Sequence, residues 1–84
     1  MAELCRFYGI IIYMYGFDYP PPHFHFVYGE YECIMYIKNL VIEGKAPVKV
    51  VKKVEQWTEK NQTKLLEIWE IARKGEPLPK LEPL

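Results

Sequence analysis

The first apolar block, Cys5–Tyr15, reads CRFYGIIIYMY: β-branched and aromatic residues with no helical period, the pattern of one long strand. Gly9 inside it marks a bulge or a close backbone approach. Gly16–Pro22, GFDYPPP, ends the block. Its three prolines cannot donate to a ladder, and they hold the chain stiff and extended up to the next element. His23–Tyr28 and Tyr31–Ile37 then form two further strands, and Gly29-Glu30 between them fits a two-residue turn with glycine at its first position. That turn sets Tyr28 opposite Tyr31, Val27 opposite Glu32, Phe26 opposite Cys33, His25 opposite Ile34, Phe24 opposite Met35 and His23 opposite Tyr36. Alternation places Phe24, Phe26, Tyr28, Tyr31, Cys33, Met35 and Ile37 on the core face, and His23, His25, Val27, Glu32, Ile34 and Tyr36 on the other.

Leu40–Ile42 is a candidate short fourth strand, and Glu43-Gly44-Lys45 a turn. Pro47 opens a helix at its first position, where the missing N–H is harmless. Val50, Val51, Val54 and Trp57 follow helical spacing. At Asn61 two readings are open. Either Asn61 caps a second helix carrying Leu65, Leu66, Ile68, Trp69 and Ala72 and closed by Gly75, or one long helix runs through it. We take the helix pair. The tail EPLPKLEPL is too rich in proline for helix or strand, so its leucines lie extended across the domain. The expectation is one α+β domain over 1–84: a β region (1–42), a helical region (47–74) and an extended Pro/Leu tail (75–84). Its antiparallel sheet has three to four strands, with two C-terminal helices packed on one face.

Composition narrows the class. Half of the 84 residues are apolar and 15% aromatic, which supplies one core and excludes disorder. No apolar run approaches the ~18 residues of a membrane span. The opening MAELCRFYGIII has neither the basic start nor the cleavage site of a signal peptide. Cys5 and Cys33 lack ligand or redox spacing and read as buried thiols in a reducing cytoplasm. Net charge is zero, with two basic against four acidic residues in 1–42 and nine against seven in 43–84. That is not the footprint of a self-sufficient nucleic-acid binder.

His23 and His25 are the only histidines. At i, i+2 on a strand both rings can reach one metal ion, and Glu32, diagonal to His25, adds a carboxylate. Three ligands fall short of a structural site, so no cofactor is expected. With Arg6 as a phosphate clamp, His23 and His25 become candidate acid–base residues for RNA cleavage. As a plain surface, His23, His25, Glu32 and Tyr36 form a face for a ligand or partner. Lys45, Lys49, Lys52 and Lys53 line one side of the first helix. They are a solvated face, or a phosphate-binding strip once a partner is bound. Leu78, Leu81 and Leu84 suit a groove on this domain, on a second copy or on a partner, so tail exchange in a homodimer is the alternative assembly.

Several stretches together resemble the small bacterial domain-of-unknown-function family 4160 over nearly the whole chain. They are Arg6–Ile10, Pro21-Pro22-His23-Phe24-His25, Tyr28-Gly29-Glu30-Tyr31-Glu32, the Glu43-Gly44 turn, Glu55-Gln56-Trp57 and Leu65–Glu70. The chain departs from the family where Asp18-Tyr19 and Asn61 stand in place of frequent histidines. The resemblance implies a bacterial cytoplasmic protein encoded beside a second small protein, the two forming a toxin–antitoxin pair. It carries no activity with it. The functional expectation is a protein–protein interaction component of such a two-gene module, with the small cognate protein as partner. The alternatives are a small ribonuclease or metal-binding protein using the His23/His25 face, and a DNA-binding regulator acting only with its partner.

Overall fold

The computed structural model describes residues 2–84. Five strands, β1 (Ala2–Phe7), β2 (Ile10–Met14), β3 (His23–Tyr28), β4 (Tyr31–Tyr36) and β5 (Ile42–Glu43), precede one helical run, α1 (Val48–Arg73). The strands form an antiparallel sheet in sequence order, β1-β2-β3-β4-β5. This corrects the expected three to four strands.

The extra strand comes from the first apolar block, which is a hairpin rather than one long strand. Tyr8 and Gly9 both have positive φ, 49° and 79°. A two-residue turn that needs φ > 0 at both central positions folds β1 back on β2. The β3–β4 hairpin has the expected register at all six pairs. Beyond it the chain turns over residues 37–39, so the fifth strand starts two residues later than Leu40–Ile42 suggested, at Ile42–Glu43.

Pro47 sits at the N-cap, one position before the expected one, and its carbonyl accepts from the Val50 and Val51 amides. The helical run continues through Asn61 without a loop. Asn61 itself leaves helical geometry (φ −122°, ψ 15°), so two helical segments meet end to end at a kink. Its side chain does not cap the second segment; Nδ2 donates back to Trp57 O at 2.8 Å. Gly75 ends the run at φ 72°, with its amide to Ala72 O and the Glu76 amide to Ile71 O, a Schellman arrangement.

One stripe of α1, including Val54, Trp57, Leu65, Ile68 and Trp69, packs on the face carrying Ile10, Ile12, Phe24, Phe26, Met35 and Ile37. Burying each such side chain contributes roughly 1.5–3 kcal/mol. Gln62 Nε2 donates to Ile37 O, fixing the helix against the end of β4. Residues 76–84 form neither helix nor strand. Leu78, Leu81 and Leu84 pack against the core, the Leu81 amide donates to Leu4 O, and Trp57 Nε1 donates to Glu82 O, both at 2.8 Å.

The opposite face of the sheet is ordered by register into two rows. One runs Arg6–Ile11–Val27–Glu32 and the next Glu3–Tyr13–His25–Ile34–Glu43. His23 and Tyr36 form a pair beyond them. Among the described residues no helix covers this face.

Candidate functional site

The cluster forms where β3 begins. Alternation brings His23 and His25 to the outer face, and the loop Gly16–Pro22 returns Asp18 across them. The loop is anchored near its start, at Phe17. The Phe17 amide donates to Ala72 O at 3.3 Å, and the Phe17 ring lies over Gly75 so closely that a Cβ there would come within 2.5 Å of it. Asp18 Oδ1 accepts from the Tyr19 amide at 2.8 Å. Asp18 Oδ2 is left to the histidines: His23 Nε2 lies 2.9 Å from it and His25 Nε2 3.2 Å.

His23 is buried, its ring 5.2 Å from Trp69 and 5.7 Å from Tyr36 between centroids. Its Nδ1 donates to Pro21 O at 2.9 Å. The His25 ring stacks on Tyr13 at 5.3 Å and meets Tyr15 edge-on at 4.7 Å. Burial alone would push the Asp18 carboxyl up. Hydrogen bonds from His25 and from the Tyr19 amide, with the His23 imidazole beside it, outweigh it and hold the group below its ordinary value, so Asp18 is a carboxylate. Burial, with Tyr15 and Glu32 beside it, pushes the Tyr13 hydroxyl up to about 12. Burial also raises both thiols, Cys5 and Cys33.

Of the residues singled out from sequence, His23 and His25 come together, and Tyr36 flanks His23 while donating to Glu43. Glu32 does not join them. It stands in the neighbouring row opposite Val27 and accepts from Tyr13 at 3.3 Å, although it lines the same open cleft as His25, about 410 Å³ in volume. Arg6 shares the outer face but sits on β1, two strands from β3, and pairs with Glu3 at 2.8 Å. Lys45, Lys49 and Lys52 are exposed beside or along the start of α1, on the other side of the sheet, and Lys53 Nζ lies over the Tyr8 ring. The cluster residue that sequence reasoning missed is Asp18. Its one signal was its place just before the prolines.

Residues 9–70 match the family model described as Domain of unknown function (DUF4160). No curated protein and no solved structure matches the chain.

Proposed function

The chain belongs to that family, DUF4160, whose description carries no activity, and we propose that it is a protein–protein interaction module working through the outer face of its sheet. The observation that carries this reading is the composition of that face. An antiparallel sheet with one face in water normally alternates to polar residues there. Here Ile11, Val27 and Ile34 occupy the centre of the outer rows, with Tyr13, His25 and Tyr36 around them. The loop along its border adds Tyr15 and Tyr19, the latter 84% exposed. Large aromatic side chains of this kind are the usual anchors of protein interfaces.

The partner is a small protein encoded by the adjacent gene, and the two form a toxin–antitoxin-like module in the bacterial cytoplasm. The family resemblance supports that identity. A ribonuclease using His23, His25 and Arg6 is the weaker reading, because Arg6 is committed to Glu3 away from the rings.

Co-expression with the adjacent gene's product, followed by size-exclusion chromatography, tests the module. A companion in equal stoichiometry is expected with the wild type and with Lys52→Ala, and is lost with Ile34→Lys. Recovery of the chain alone under all conditions refutes the reading.

A further inference from the structure

Hydrogen bonding leaves the cluster at the start of β3 with one charge missing. A backbone carbonyl can only accept, so the 2.9 Å contact from His23 Nδ1 to Pro21 O assigns the ring proton to Nδ1. In the neutral ring Nε2 is then a lone pair, yet it faces the Asp18 Oδ2 lone pairs at 2.9 Å. His25 Nε2 is directed at the same oxygen from 3.2 Å. A cation belongs among these three atoms. A proton on His23 answers that contact, with His25 donating Nε2–H; a metal ion takes both rings and the carboxylate at once.

We propose that Asp18, His23 and His25 bind one divalent first-row transition-metal ion, of which zinc is the reference case. The spacing fits. Bonds of ~2.0–2.1 Å in a tetrahedral site put neighbouring ligand atoms ~3.3 Å apart. The two carboxylate–imidazole edges, 2.9 and 3.2 Å, are already at that length. All three ligand atoms lie within 4.8 Å of one another, so the remaining edge closes by at most ~1.5 Å. Two imidazoles and one carboxylate suit zinc, iron or nickel, whereas calcium and magnesium prefer oxygen alone.

The surroundings hold the ligands as outer-shell groups do in metal sites. Pro21 O keeps His23 in the tautomer whose Nε2 is free for a metal. The Tyr19 amide occupies Oδ1 and leaves Oδ2 outward. Tyr13 and Tyr15 fix the plane of His25. Three protein ligands leave at least one coordination position to water, the arrangement of reactive rather than structural zinc. Glu32 is not counted as a ligand: its carboxylate is engaged by Tyr13, and it lies outside the trio whose ligand atoms fall within 4.8 Å of one another.

The test is calorimetric titration of zinc alone into the tag-free, chelator-stripped full chain, with X-ray absorption at the zinc edge on the loaded protein. One ion per chain is expected, with two imidazoles and oxygen in the first shell. His25→Ala and Asp18→Asn should each weaken binding by ~100-fold or more, at or beyond the range seen when outer-shell partners are removed. Glu32→Gln should leave the affinity unchanged. Circular dichroism checks that each variant folds. If one variant does not, the other variant and the absorption spectrum decide. Absence of saturable 1:1 binding overturns the proposal. So does binding that survives both ligand variants, or a first shell without two imidazoles.

Discussion

Gly44 is the residue at which one added methyl group does the most damage for its size. It follows β5 at φ +106°, a conformation that side-chain-bearing residues rarely adopt. A Cβ there would lie 2.8 Å from Glu32 O and 3.3 Å from Cys33 Cα. Both are backbone atoms of β4, so neither can swing aside. Gly44→Ala therefore has two costs. The backbone strain is about 1–3 kcal/mol. Relief of the clash requires residues 42–46 to lift from β4, which gives up the two β4–β5 pairs at about 0.5–1.5 kcal/mol per hydrogen bond. The sum is roughly 2–6 kcal/mol, and each kcal/mol lowers Tm by ~4–8 °C in a domain of this size.

Gly29→Ala is the control. Gly29 also has positive φ, 56°, but a Cβ there meets nothing within 4 Å, so only strain is lost. The lifted segment also uncovers Cys33, whose Sγ donates to Lys45 O at 3.3 Å and which is 4% exposed. Urea denaturation of both variants, with aromatic-disulfide titration of the native thiols, reads the difference. Gly44→Ala should lose at least ~1 kcal/mol more than Gly29→Ala, the lower bound on the lost pairing, and one of its two thiols should become reactive. Equal losses in the two variants, with Cys33 still protected, would refute the reasoning.

Removing residues 76–84 takes away Leu78, Leu81, Leu84 and the acceptor of Trp57 Nε1. A loss of ~3 kcal/mol or more is expected in urea denaturation, and an unchanged midpoint would show that the tail's contacts are idle. Thr58→Val should be neutral within ~1 kcal/mol. The buried hydroxyl donates only to Val54 O and the Met35 sulfur, and the isosteric replacement leaves neither a cavity nor an orphaned donor. Burial raises both thiols, so the unfolded chain deprotonates first. Their contribution is whole below the unfolded value and declines as pH rises through the folded one. Stability measured from about pH 9 upward should fall less steeply in Cys5→Ala/Cys33→Ala than in the wild type.

What the sequence disclosed, and what it hid, follows from where the determining contacts lie. The β3–β4 hairpin was legible to the residue because Gly29-Glu30 states its turn and the strands alternate cleanly. The β1–β2 hairpin was not. Its turn is Tyr8-Gly9, where a tyrosine at positive φ replaces the usual asparagine or aspartate, and apolar residues on both faces of β2 erase the alternation. Asn61 was rightly marked as an interruption, but its amide bonds backward to Trp57 rather than forward as a cap. The two histidines could be placed on one face by period alone. Asp18 could not, because its loop is positioned by Ala72 and Gly75 at the far end of α1. Arg6 was chosen by residue type, and strand order puts it two strands from the rings; Glu32 lies diagonal to His25 as its register predicts, with its carboxylate engaged by Tyr13.

The strand order bears on how the chain reaches its final state. Every strand pairs with its neighbour in sequence, so the sheet can zip up through successive short closures, the regime in which small domains fold fast. The cluster at the start of β3 does not share that economy. Its loop is anchored to Ala72, which arrives only when the helical run docks. The Asp18–His23–His25 corner is thus drawn together from both ends of the fold, by the register of β3 and by the docking of α1.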